Sequence, residues 1–150
     1  GYLKKKGNKY YSGGTEIPLD RVCTSVDKNG NPAPYKDQLY WHKMTDAQIE
    51  AIRKLTLEVC AKFNIPLNFS YEDCFPPKGK LSDKAMVGTP GIYTHNSVET
   101  GKFDIHPQKE LIDMLKGLKQ TKQKIKSNIT VNTTVNADGT SNFKVEDIIF

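Results

Sequence analysis

The stretch Gly-Ile-Tyr-Thr-His-Asn-Ser-Val-Glu-Thr-Gly-Lys-Phe-Asp-Ile-His-Pro, residues 91–107, sets His95 nine residues before Asp104. Lys102 stands two residues ahead of the acid and His106 two behind it. Imidazole nitrogen and carboxylate oxygen are both zinc donors, and a catalytic zinc commonly takes three protein ligands and leaves a fourth position for water. The eight residues between His95 and Asp104 are enough for the chain to return to one point in space. In an extended segment Lys102 and Asp104 face the same side. An ammonium beside a metal is repelled by it, so Lys102 needs another role. The natural one is to hold the oxyanion that grows as an activated water attacks a carbonyl. The plainer reading has His95 ending a strand while Lys102 and Asp104 pair in solvent, and the spacing alone does not separate the two.

Such residues need elements to position them. Thr45 and Gln48 form a capping box, which starts a helix. Ile49, Ile52, Leu55, Val59, Cys60 and Phe63 follow at helical spacing and predict one buried stripe. Asn64 ends the helix, and Ile65-Pro66 prevents its continuation. Leu67 to Phe75 is short and apolar, and Leu81 to Met86 predicts one helical turn. After the Gly88-Thr89-Pro90-Gly91 turn, Ile92-Tyr93-Thr94 predicts a short buried strand that delivers His95 at its C-terminal end. Pro107 suits the first turn of a last helix with Leu111, Met114, Leu115 and Leu118 on its apolar face. Residues 1–45 read as loops and short strands, with turns at Ser12-Gly13-Gly14 and at 28–32.

The character of the chain changes after Leu118. Residues 119–127 are lysine-rich and read as a polar linker or frayed helix. In 128–150, Ile129, Val131, Thr133 and Val135 alternate, Asn136-Ala137-Asp138-Gly139 turns, and Phe143-Lys144-Val145 resumes, which is a hairpin pattern. A lone hairpin is barely stable in water, so this tail is expected to pack on a following domain, another copy or a larger assembly. Asn128 and Asn132 each open a glycosylation triplet, a pattern short enough to arise by chance.

The net charge is +5, supplied by lysine, and favours polyanions: nucleic acid, anionic lipid, or the anionic polymers of a bacterial wall. With Arg21 and Arg53 the only arginines, and no binding motif, a specific nucleic-acid site is the weakest of these. No apolar run approaches the roughly 18 residues of a membrane span, and no signal peptide is seen. Cys23, Cys60 and Cys74 show neither a CxxC motif nor a nearby histidine, so Cys60 reads as core and no cysteine as a nucleophile.

Taken as a block, residues 40–118 resemble the C-terminal half of the zinc-dependent N-acetylmuramoyl-L-alanine amidases, which share the fold of peptidoglycan-recognition proteins and include many phage lysins. Thr45-Asp-Ala-Gln-Ile-Glu-Ala opens the family's helix and Cys60-Ala-Lys-Phe-Asn-Ile-Pro closes it. Gly91-Ile-Tyr-Thr-His95 matches the second metal histidine, and Lys102-Phe-Asp104-Ile-His-Pro-Gln matches the family's Lys-x-Asp. Glu110-Leu-Ile-Asp-Met-Leu follows as the last helix.

The resemblance implies an α/β fold, a mixed central sheet flanked by helices, with its first strands missing from this chain. It divides the chain into a partial amidase-like domain at 1–118, the linker, and the β-rich tail. It also implies zinc on His95 and Asp104, Lys102 aiding the transition state, and hydrolysis of the amide between muramic acid and the first L-alanine of peptidoglycan. Tyr93, Thr94, Asn96 and His106 are candidates for supporting the ligands or touching substrate.

The family's first metal histidine, and a Glu or Tyr that assists the water, lie on strands ahead of this chain's Gly1. The third ligand is therefore expected from an upstream segment or another chain. His42, read as surface, and His106, read as structural, are substitutes of lower rank. Glu16 and Glu99 are candidates for the missing acid that nothing in the sequence places. The expected setting is extracellular or virion-associated, on the bacterial wall. The alternative is a wall-binding or structural virion protein that keeps the fold without turnover.

Overall fold

The computed structural model describes residues 1–127, 132–135 and 141–144, with side chains described as far as residue 118. The chain divides into two compact units, Gly1–Leu118 and Lys119–Phe150. The first unit holds every candidate residue and is mixed α/β. Strands β1 (Lys4–Lys6), β2 (Lys9–Ser12) and β3 (Thr15–Ile17) form an antiparallel meander. Its second turn is the pair Gly13-Gly14, with φ of 54° and 89°. Both central positions of this two-residue hairpin loop thus lie in the left-handed region, where glycine meets no steric cost.

Strand β4 (Val22–Thr24) pairs antiparallel with β5 (Tyr40–His42), setting Cys23 opposite Trp41. The described strands pair only antiparallel, in sheets of two or three. The mixed central sheet expected from the sequence is not what they form. The strands are three or four residues long, and most pair with a close neighbour in sequence. Residues 92–94, expected as a buried strand, lie outside any sheet among the described residues: the Ile92 N–H donates to the Asn68 carbonyl at 3.0 Å, and no ladder follows.

Helix α1 (Asp46–Lys62) starts at Thr45 with both halves of the capping box made, an arrangement contributing about 1 kcal/mol. It ends on Asn64 at φ 52°, and the Ile65 N–H returns to the Cys60 carbonyl at 2.8 Å, a left-handed cap that asparagine tolerates. The apolar stripe of α1 departs from expectation. Ile49 and Cys60 are buried, but Leu55, Val59 and Phe63 are 62%, 39% and 64% exposed. At roughly 100° per residue, Leu55 and Val59 sit about 80–140° around the helix from Ile49 and Cys60, and Phe63 lies at the C-cap. The stripe is too wide for the surface it meets.

Short helices α2 (Tyr71–Cys74) and α3 (Asp83–Met86) are capped by Ser70 and Ser82. Helix α4 (Lys109–Ser127) begins two residues past Pro107 and takes in 119–127, the stretch read as linker. The core gathers on fully buried Trp41: Val26, Tyr35, Cys74 and Phe75 meet Leu111, Ile112, Leu115 and Leu118 of α4. In the second unit β6 (Asn132–Val135) pairs antiparallel with β7 (Ser141–Lys144). The Asp-Gly turn and the first glycosylation triplet lie outside the described residues.

Candidate functional site

The site is carried by the loop from Thr94 to Pro107, and its anchoring begins in the short helices. Residues His95–Ser97 make one 3-10 turn. The Thr94 N–H donates to Ser97 Oγ at 3.0 Å, and Ser97 Oγ–H donates to the Asp73 carbonyl at 2.7 Å. The Thr94 hydroxyl donates to the Cys74 carbonyl, and the Ser82 N–H to the Ser97 carbonyl at 2.9 Å. Serine and threonine favour such local bonds over helix or strand ladders. They dock the start of the loop on the end of α2 and the cap of α3.

This docking leaves the His95 ring outside. Its Nδ1 lies 2.9 Å from Asp104 Oδ2 and its Nε2 lies 3.2 Å from Glu99 Oε2. Lys102 Nζ stands 3.5 Å from the other Glu99 oxygen. Sequence spacing thus brought together three residues that do lie together, and the structure adds Glu99, one of the two unplaced acids. The other, Glu16, is paired with Lys9 at 2.8 Å on the far meander. The His95 and Asp104 side chains are 43% and 56% exposed, open enough to take a ligand. Burial raises the Asp104 carboxyl, but the hydrogen bond with His95 and the charges of His95 and Lys102 outweigh it and hold the group below its ordinary value.

The donor types fit zinc. On one tetrahedral zinc, at roughly 2.0–2.2 Å each, an imidazole nitrogen and a carboxylate oxygen would stand about 3.3 Å apart; the 2.9 Å between His95 Nδ1 and Asp104 Oδ2 is a direct hydrogen bond, which an ion would replace. Among the described residues no group of three metal-ligating side chains converges. The two carboxylates also occupy different ring nitrogens. An ion on Nδ1 beside Asp104 would leave Glu99 to orient the ring through Nε2, the support that metal-bound histidines commonly receive.

The other histidines take different places. His106 is buried, stacked on Trp41 with centroids 4.8 Å apart and 9° between the planes. Its Nε2 lies 3.3 Å from Cys23 Sγ. Burial pushes the imidazole down to about 3 and the Cys23 thiol up to about 11. The pair is therefore a neutral imidazole beside a protonated thiol, engaged in the core and poorly suited to bind metal or attack a substrate. Cys74, likewise raised to about 12 by burial, donates to the Ile92 carbonyl at 3.1 Å. His42 is half-buried at the end of β5 rather than on open surface. With Arg21, Lys43, Asp104 and His106 it lines an open groove of about 890 Å³. Asp104 therefore faces both His95 and this groove.

Of the flanking candidates, Thr94 anchors the loop as described. Tyr93 lies along the Gly91 backbone, its ring 3.5 Å from where a Cβ on Gly91 would stand. Asn96, fully buried, donates from Nδ2 to the Ile105 carbonyl at 2.9 Å and accepts at Oδ1 from Lys36 Nζ at 2.9 Å. Lys36 escaped the sequence reading, because a single lysine in an irregular segment carries no periodicity or motif.

Comparison of the chain with protein-family models, with curated proteins and with solved structures finds no match. Among the described residues no helix is long and apolar enough to cross a membrane.

Proposed function

We propose that this chain is the C-terminal part of a zinc-dependent peptidoglycan amidase, cleaving the bond between N-acetylmuramic acid and L-alanine. The observation that supports it best is the 2.9 Å approach of His95 to Asp104 across an exposed loop, with Lys102 on the same rim. In this reading His95 and Asp104 would hold the ion, and an upstream segment or partner chain supplies the third ligand. When bound there, zinc would supply Lewis acidity, making water nucleophilic near neutral pH and polarising a carbonyl.

The chain's own residues do the rest. Asp104 stays a carboxylate near neutrality. Glu99 orients the His95 ring and draws Lys102 to the rim. Lys102, turned from Glu99 to substrate, offers its ammonium to the oxyanion that forms on the scissile amide. The groove past Asp104 gives the stem peptide a place to lie, with Arg21 and Lys43 available to its carboxylates.

The test is turnover and metal content in Lys102→Ala and Asp104→Ala, with the upstream segment present. Lys102→Ala retains zinc and loses about 10²–10³ in rate, the usual effect of removing an oxyanion donor. Asp104→Ala loses zinc and activity together. Cleavage of wall fragments by Asp104→Ala at the original rate would refute the assignment.

A second reading is a wall-binding or structural virion protein that keeps the architecture without turnover. Two observations favour it: the described residues bring no third ligand to His95 and Asp104, and carboxylates occupy both ring nitrogens. Wall binding unaffected by Asp104→Ala, with no hydrolysis under any metal condition, would select it.

A further inference from the structure

We propose that Lys36 is a positioning residue, whose buried ammonium clamps the loop that carries His95, Glu99, Lys102 and Asp104 and so fixes the separation of the histidine and the aspartate. A lysine ammonium has three donors and no acceptor. Each donor has a partner here: Asn96 Oδ1 at 2.9 Å, the Thr100 carbonyl at 3.0 Å and the Lys102 carbonyl at 2.9 Å. These acceptors span the loop between the two candidate ligands. Asn96 follows His95 directly and also binds the Ile105 carbonyl, which follows Asp104. One side chain thereby ties down both flanks of the pair.

The surroundings are built for this cation. Lys36 is 5% exposed, with Nζ 5.3 Å from the ring centroid of Phe103 and 5.6 Å from that of Tyr35. Burying an ammonium is costly unless its hydrogen bonds are all met, and burial does lower its proton affinity while the charge of Asp104 opposes that. The backbone is strained as well. Lys36 and Asp37 take φ of 50° and 66° in succession, at about 1–2 kcal/mol for each non-glycine residue. Two backbone bonds between Tyr35 and Gln38, 2.9 and 3.0 Å, hold the turn in that state. A strained turn that aims a buried charge into one loop marks a constrained site rather than a generic surface connection.

The clamp rests on geometry, and its consequence for metal binding rests on the reading of His95 and Asp104 as ligands. Wild type, Lys36→Met and Lys36→Arg are compared in the full chain by NMR. The Val98 and Glu99 amides, which donate to the His95 carbonyl at 3.2 and 3.1 Å, report on the loop. The Phe63 amide, which donates to the Val59 carbonyl at the C-cap of α1, and the Ile112 amide of α4 report on the fold. In Lys36→Met the loop amides exchange more than tenfold faster, the His95 ring nitrogen signals move toward those of free histidine, and the Phe63 and Ile112 amides stay within about threefold. Lys36→Arg behaves in the same way, because a planar fork cannot serve three acceptors grouped around one ammonium. Should Lys36→Met fail to fold, Asn96→Ala removes one acceptor and the tie to Ile105, giving the same local pattern at smaller amplitude. Unchanged loop exchange, or equal acceleration everywhere, would overturn the clamp. Zinc is then titrated into each protein with the upstream segment supplied, since the third ligand is proposed to come from there. No zinc-dependent shift at His95 in wild type removes the ligand reading and leaves the clamp judged by exchange alone. A shift weakened at least tenfold in Lys36→Met supports both.

Discussion

His106, stacked on Trp41, and Cys23 beside it are buried groups whose protonation makes stability depend on pH at both ends of the range. The His106 imidazole falls from an unfolded value near 6.5 to about 3. Below pH 6.5 the unfolded chain takes up a proton that the folded chain refuses. Stability is therefore complete above 6.5 and declines as pH falls toward 3, with a slope of about 1.4 kcal/mol per pH unit. The Cys23 thiol, raised to about 11, acts at the other end. Its contribution is complete below the unfolded thiol value and is lost as pH rises toward 11. Urea denaturation across pH should show a plateau between these limbs. His106→Phe, which keeps the ring stack, makes the acid limb shallower, and Cys23→Ala makes the alkaline limb shallower while leaving the part set by buried Cys74. An acid slope identical in His106→Phe would mean that another group sets it. None of this was legible in the sequence, where His106 stood out for its distance from Asp104 and Cys23 had no partner. Nothing in a linear pattern says that residues 23, 41 and 106 meet.

Elements were legible in proportion to their length. Helix α1 was readable from its capping box, its Asn64 stop and its periodicity, since each is a local signal. Its exposure was not, because periodicity gives the direction of a face and not how much surface awaits it. This separates three substitutions. Leu55→Pro breaks the helix and costs about 3 kcal/mol or more. Leu55→Ser, at an exposed position, changes stability by less than about 0.5 kcal/mol. Ile49→Ala, at a buried one, costs about 2–5 kcal/mol. Chemical denaturation of the three gives the ranking, and a large loss in Leu55→Ser would show that this face is covered in solution. The three-residue strands were visible only as turn-rich sequence, because three residues show too little alternation to count. The extended segment before His95 was misread as a strand for a related reason: β-branched and aromatic residues fit a sheet, but no partner strand lies beside Ile92 among the described residues. The His95–Lys102–Asp104 cluster was legible because it is confined to one loop, where spacing limits distance.

At the scale of the molecule the charge is the clearest property. A net +5, with Lys4, Lys5 and Lys6 exposed on β1, favours association with an anionic polymer such as the bacterial wall. Binding to sedimented wall fragments should weaken several-fold between about 50 and 200 mM salt, as exposed charges are screened. Salt-independent binding would point instead to recognition by the groove alone. The division into two units, with the site wholly within the first, leaves the role of the second open to the same assay. A chain ending at residue 127 that binds fragments as well as the full chain would show that residues 128–150 are not needed for binding.

The most direct measurement for the account as a whole is zinc binding followed at His95 by NMR, with the upstream segment present, in wild type, His95→Ala and Asp104→Ala at neutral pH. The account predicts about one zinc per chain, with the ion shifting His95 and the Thr94–Asp104 amides, and loss of the response in both variants while α1 stays folded. A wild type that shows no response at His95, or an Asp104→Ala chain that binds zinc as tightly as wild type, would contradict it.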